Sequence, residues 1–158
     1  MGELPSNWHT ERRGATDPVI ERMVADYLNE LRTVMPPDFD PMRAVPPSPS
    51  DFDWPNGSFV LVWAEADPIA CGALRRLSSD VGEVRRMWVE PAWRGRGAGR
   101  FLLGALEDLA KEMRLSELRL DSTRKLETAV ALYRSAGFVE VPNYNDNEFA
   151  DIWMSKPL

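Results

Sequence analysis

The 158-residue chain has one cysteine and one histidine. Cys71 alone excludes a disulfide framework and a cysteine-based zinc site within one chain. His9 alone removes any chemistry that needs two imidazoles. No apolar run approaches the ~20 residues of a membrane span. Residues 1–13 lack the apolar centre of a secretory leader. Positive charge is scarce too: 19 Lys and Arg stand against 25 Asp and Glu, a net charge of −6. General nucleic-acid binding needs a broad positive field, so that class is disfavoured. The expectation is a cytoplasmic protein with no metal, no membrane partner and no nucleic acid. At this length one domain over 1–158 buries a core without staples.

The charge is uneven. Residues 1–70 hold five basic and twelve acidic side chains, and residues 101–158 hold seven and ten. Residues 71–100 hold seven arginines and three acids, a basic island of +4. An island inside an acidic chain suits a local anionic ligand. The bland alternative is a run of solvated arginines.

Asp17-Pro18 is an N-cap and first-turn pair. Val19, Ile20, Met23, Val24, Tyr27, Leu28 and Leu31 follow at helical spacing, so a helix is expected over 17–35, ending before Pro36-Pro37. Seven of the 13 prolines fall in residues 36–57 and exclude a regular element of any length there. That segment reads either as a stiff connector or as a lid over a binding site. Strands are expected at 59–63, 69–77 and 83–89, forming an antiparallel meander. Residues 97–113 form a helix with Phe101, Leu102, Ala105, Leu106, Leu109 and Met113 inward. A strand at 118–121, a helix at 127–136 stopped by Gly137, and strands at 138–141 and 152–154 complete the chain.

Arg94-Gly-Arg-Gly-Ala-Gly99 stands between a strand and a helix. Alternating glycines admit positive φ and remove the Cβ atoms that would block a ligand. The free N–H groups and dipole of the helix start attract phosphate oxygens. Arg94, Arg96 and Arg100 add charge beside it. A dinucleotide fingerprint would need glycine where Arg100 stands, and a P-loop would need Gly-Lys-Ser/Thr, so neither fits.

The turn resembles the R/Q-x-x-G-x-G/A signature of the GNAT superfamily, the acyl-CoA-dependent N-acetyltransferases. Glu83-Val-Arg-Arg-Met-Trp-Val-Glu-Pro91 is similar to that family's fourth strand and its following proline. Leu132-Tyr-Arg-Ser-Ala-Gly-Phe138 resembles its L-Y-x-x-x-G-F box. The resemblance covers roughly residues 58 to 156. It implies an α/β (α+β) fold: a mixed, mostly antiparallel sheet splayed between its fourth and fifth strands and flanked by helices. An opening strand is expected, and only Trp8 to Ala15 can supply it. The Pro-rich segment 36–57 would be the acceptor-side loop.

The resemblance further implies acetyl transfer from acetyl-CoA to a primary amine of a small molecule or peptide, by direct attack in a ternary complex. A non-catalytic acyl-CoA-sensing module is the alternative. The backbone of Met87, Trp88 and Val89 would pair with the cofactor's pantetheine arm. The amides of Gly95, Arg96, Gly97, Ala98, Gly99 and Arg100 would hold its pyrophosphate, with Arg94 alongside. A backbone N–H near Val89 would polarise the thioester carbonyl. An ammonium acceptor has a pKa near ~10, so a base must deprotonate it before attack. Glu83 is the preferred base and Asp121 the competitor, although Glu83 also reads as a strand-surface partner of an arginine. Tyr133 would protonate the departing thiolate. Where many members place an asparagine on the cofactor, this chain has Leu126. Cys71 reads as a buried small hydrophobe rather than an acyl-cysteine. Arg75 and Arg76, and Arg85 and Arg86, fall in adjacent strands, each pair pointing to opposite faces. One of each would suit an anionic acceptor, as Asp38, Asp40, Asp51 and Asp53 would suit a cationic one. Members of the family are often homodimers.

Overall fold

A computed structural model describes residues 7–41 and 48–158. Part of the Pro-rich segment, residues 42–47, and part of the leader reading, residues 1–6, lie outside the described residues. The chain runs β1 (Trp8–Arg13), α1 (Pro18–Val34), a 3-10 turn (Pro49–Phe52), β2 (Gly57–Ala64), β3 (Asp67–Arg76) and β4 (Val81–Val89). After a second 3-10 turn (Pro91–Trp93) come α2 (Ala98–Glu112), β5 (Glu117–Ser122), α3 (Glu127–Ser135), β6 (Val139–Val141) and β7 (Ile152–Pro157). One seven-stranded sheet has the order β1-β2-β3-β4-β5-β7-β6. All pairs are antiparallel except β4 with β5. Among the described residues, no helix is long and apolar enough to cross a membrane.

The side-chain period of two sorts β2 onto two cores. Val60 and Val62 join Leu74, Leu102, Leu106 and Leu118 beneath α2. Phe59 and Leu61 join Ile20, Met23, Cys71 and Trp88 beneath α1. Both faces are covered, which is why β2 reads as a continuous apolar run rather than an alternation. The opening strand is real: β1 pairs with β2 from Trp8↔Ala64 to Arg13↔Phe59. It looks weak in sequence because it is an edge strand with charged and polar side chains facing water. Asp17 caps α1 as expected, accepting from the amides of Val19 at 2.9 Å and Ile20 at 3.3 Å. The Pro49–Phe52 turn packs inward, with Phe52 buried 4.8 Å from the Phe59 ring.

The sheet splits at its centre. The parallel ladder joins only Val81↔Glu117, Gly82↔Leu118 and Glu83↔Arg119, although β4 runs on to Val89 and β5 to Ser122. Beyond Glu83 and Arg119 the two strands part. The gap between them positions the site.

Candidate active site

Two clefts open from this gap. The larger, about 920 Å³, lies between the C-terminal half of β4, the glycine turn and the start of α3. Met87, Trp88, Val89, Arg94, Gly95, Gly97, Ala98, Gly99 and Arg100 all border it. The smaller, about 140 Å³, is bordered by Glu83, Arg85, Arg86, Asp121 and the ring of Phe39. Met87, Tyr133 and Leu126 border both. Tyr27, Leu31 and Ala129 border both as well, so the two clefts adjoin around these six residues.

The glycine turn is built for close approach. Gly95 and Gly97 have φ of 76° and 88°, in the left-handed region where a side chain is strained. A Cβ on Gly95 would meet nothing within 4 Å, so that position faces open space. Gly97 is the N-cap of α2 and brings no side-chain acceptor. Phe101 is the first residue of α2 whose amide bonds back, to the Gly97 carbonyl. The amides before it are left for a ligand, with the positive end of the helix dipole behind them. These features fit the pyrophosphate of a coenzyme A thioester.

The three arginines of the turn do different things. Arg100 borders the cleft and donates to Ser135 Oγ at 2.5 Å. Arg94 also borders it, but its guanidinium is gripped by Glu30 at 2.7 and 2.6 Å. Arg96 stacks over the Trp93 ring at 5.0 Å, and its side chain is not part of the cleft wall. Leu126 is the N-cap of α3 and offers no side-chain bond there.

Tyr133 is buried on α3, 5.9 Å from the Phe138 ring. Its hydroxyl has no hydrogen-bond partner among the described residues, and the residue borders both clefts. Burial raises its pKa well above the usual phenol value, with the charges of Tyr27 and Asp121 adding to the effect. The group stays protonated and carries a proton to donate.

Glu83 is 1% exposed, not a strand-surface residue. It sits directly across from Arg75 in the β3–β4 register and two residues from Arg85. Its Oε1 accepts from Arg75 Nε at 3.1 Å and from Arg85 Nη1 at 2.8 Å. Its Oε2 accepts from the Tyr144 hydroxyl at 2.7 Å. Burial alone would raise its pKa. The Arg85 charge and hydrogen bond, the Tyr144 hydroxyl and Arg75 overcome burial and hold the carboxyl below its usual range. Asp121 is different. Its Oδ2 accepts from Asn145 Nδ2 at 2.5 Å and Asn147 Nδ2 at 3.3 Å, and Oδ1 has no partner among the described residues.

Sequence reasoning missed Tyr144, Asn145 and Asn147. They lie on the ten-residue connection 142–151 between β6 and β7, which reads as a polar turn. Its unusual length was the available signal.

The expectation for the arginine pairs needs correction. Arg85 and Arg86 both border the smaller cleft rather than pointing to opposite faces. A bulge is the cause. Cys71↔Trp88 and Ala73↔Arg85 set two steps on β3 against three on β4, and Arg86 takes up the extra residue at φ 55°. Arg75 pairs with Glu83 and Asp51, at 3.1 and 3.5 Å. Arg76 donates to the carbonyls of Ser79 and Met113, at 2.9 and 3.0 Å, tying the β3–β4 turn to the end of α2. Asp51 thus serves an internal ion pair. The other end of the Pro-rich segment does face the cleft, through Phe39 and Pro41.

A split sheet with a glycine turn at the start of the helix after its fourth strand defines the acyl-CoA-dependent transferase fold. Comparison with known proteins agrees. The family model described as Acetyltransferase (GNAT) family matches residues 26–138. The chain belongs to the GNAT acetyltransferase family and is an N-acetyltransferase. It is 34% identical over 107 residues to the IAA acetyltransferase of Azospirillum brasilense, covering 66% of this chain and 70% of that protein. It is 29% identical over 129 residues to the uncharacterized N-acetyltransferase YjgM of Escherichia coli (strain K12), covering 78% and 74%. Among solved structures, a GNAT family acetyltransferase from Staphylococcus aureus Mu50 superposes with a TM-score of 0.77 at 14% identity, covering 95% of this chain and 98% of that one. A GNAT family acetyltransferase from Elizabethkingia anophelis, solved with acetyl-CoA bound, gives a TM-score of 0.68 at 16% identity, covering 98% and 100%.

Proposed function

We propose that the chain moves the acetyl group of acetyl-CoA to a primary amine by direct attack, with both substrates bound at once. The observation that carries this reading is that two adjoining clefts of very different size share one wall, which includes the buried Tyr133. The larger cleft has the volume for the cofactor and the smaller one for an amine.

The amides from Gly95 to Arg100 hold the pyrophosphate. On its β5-facing edge the backbone of Met87 to Val89 has no strand partner among the described residues, although Arg94 Nε donates to the Val89 carbonyl at 3.0 Å, and this edge aligns the pantetheine arm. An N–H beside Val89 polarises the thioester carbonyl, and Tyr133 hands its proton to the sulfur as the C–S bond breaks. Asp121, rather than Glu83, takes the proton from the acceptor, through water. Glu83 has both oxygens committed and its basicity lowered by two guanidiniums. Asp121 keeps one oxygen open. Glu83 then serves as the charge hub that fixes Arg75, Arg85 and Tyr144 around the acceptor cleft. Phe39 and Pro41 make the Pro-rich segment a wall of that cleft. A single buried thiol, Cys71, suits the reducing cytoplasm.

An acetyl-CoA consumption screen across an amine panel tests the reading. Turnover with at least one amine, saturable in both substrates and showing intersecting initial-rate lines, is the expected result. Parallel lines would point to an acyl-enzyme and overturn direct attack.

A further inference from the structure

The smaller cleft carries an unusual charge arrangement. Among the described residues, four charged ones border it: Glu83, Asp121, Arg85 and Arg86. Glu83 and Arg85 neutralise one another through the 2.8 Å bond, and Arg75 reinforces them from outside. Asp121 and Arg86 remain. Among the described residues Asp121 holds two neutral amides and no cation. The Arg86 guanidinium has no ion pair or hydrogen bond among the described residues. Tyr27, on the α1 wall, feels both the Arg86 and the Asp121 charges, so the two lie around one space.

Arg86 is not placed there by default. A regular strand would send it to the opposite face from Arg85. The β4 bulge brings both to the cleft at the cost of a left-handed backbone on a non-glycine residue. Such strain persists where the surrounding structure enforces it, and it gathers at ligand sites. Two further signs agree. Burial and the neighbouring Arg85 charge both lower the Arg86 pKa, so the guanidinium is held in a partly desolvated site beside a like charge. Arg85 Nε is buried with no partner.

We infer that the acceptor is an amine that also carries a carboxylate, with Arg86, aided by Arg85, binding the carboxylate and Asp121 receiving the amine end. This rests on the acetyl-transfer reading above and names its substrate class. A planar carboxylate matches the guanidinium fork. It also matches the charges among the described residues: Arg86 and Asp121 each lack an ion-pair partner there, and a zwitterion neutralises both. A phosphate dianion would leave excess negative charge beside Asp121 and Glu83.

The test uses α-amino acids, their α-carboxamides and simple alkylamines as probes. Each is titrated calorimetrically into the protein saturated with coenzyme A, and each is assayed with acetyl-CoA. The expected result is that some amino acids bind and turn over at least about tenfold better in kcat/KM than their carboxamides. Arg86→Gln should remove about tenfold from the carboxylates through KM, leave the carboxamides within twofold, and so collapse the ratio towards one. Arg86→Lys, which keeps the charge and loses the fork, should fall between. Circular dichroism and acetyl-CoA binding confirm that the variants fold. Carboxamides or alkylamines equal to amino acids in the wild type overturn the inference while leaving acetyl transfer intact. So does an unchanged ratio in Arg86→Gln, or no binding by any amino acid. Amino acids that bind through Arg86 but are never acetylated, while other amines are, overturn the inference; the same binding with no amine acetylated at all sinks the acetyl-transfer reading instead.

Discussion

Glu30 on α1 grips Arg94 of the glycine turn through two bonds, of 2.7 and 2.6 Å, and the same carboxylate accepts from Trp88 Nε1 at 2.7 Å. An acid therefore sits on the wall of the larger cleft and occupies an arginine that the sequence assigns to the cofactor. Both partners are about two-fifths exposed, so the pair contributes little to stability. Its effect on ligand charge is larger. Glu30→Gln should keep a bond to Trp88, release Arg94 and remove a repulsive charge. Acetyl-CoA should bind roughly three- to tenfold more tightly at low salt, and the gain should shrink at high salt. Calorimetry at two ionic strengths measures it; weaker binding would mean that Glu30 positions Arg94 rather than withholding it.

Glu83 offers a pH-dependent stability term. Its folded pKa is lowered, so its contribution is fully present above the unfolded carboxylate value near ~4.3 and is lost as pH falls through the folded value. Glu83→Gln leaves Arg85 uncompensated and Arg75 with only the longer Asp51 pair, and should cost about 3 kcal/mol at pH 7. The deficit should narrow as pH falls below the unfolded value near ~4.3, where the unfolded chain takes up a proton before the folded Glu83 does. Urea melts of both proteins across pH 3 to 7 give the two curves. Parallel curves would deny the ion pair its role.

Tyr133→Phe should lower kcat by about 100-fold or more, the scale of a lost general acid. Cofactor affinity should stay within twofold. Folding stability should barely change, because the hydroxyl bonds to no described residue. A variant with normal kcat would move proton delivery to water or another group.

Cys71 is buried between β3 and the α1 core, where burial pushes its thiol up to about 12. At pH 7 the thiolate fraction is then about 10⁻⁵. A chromogenic disulfide reagent should titrate one thiol in denaturant and almost none in the folded protein within minutes. Cys71→Ala should retain turnover within about twofold. Loss of turnover would revive the acyl-cysteine alternative.

Much of this fold is legible in the sequence because its signals are local. The apolar run at Phe59–Trp63, the Asp17 cap and the Gly95/Gly97 turn each act within a few residues. Edges shift slightly: β3 starts at Asp67, with Pro68 inside the strand, rather than at Ile69. What the sequence hides depends on distant partners. Glu83 looks like a surface acid until Arg75, Arg85 and Tyr144 surround it. Strict alternation separates Arg85 from Arg86, and one bulge against Cys71–Ala73 unites them. Asn145 and Asn147 gain meaning only when the connection between β6 and β7 folds over Asp121.

The glycine turn as the seat of the cofactor is what the assignment of both clefts depends on. Calorimetric titration of acetyl-CoA into wild type, Gly97→Ala and Gly97→Glu tests it. At φ 88° any side chain adds strain of about 1–2 kcal/mol, so Gly97→Ala should bind more weakly yet measurably. Gly97→Glu adds a carboxylate where the pyrophosphate sits, and binding should vanish while the protein stays folded. If Gly97→Glu binds acetyl-CoA as tightly as wild type, the cofactor lies elsewhere and the assignment of the two clefts fails with it.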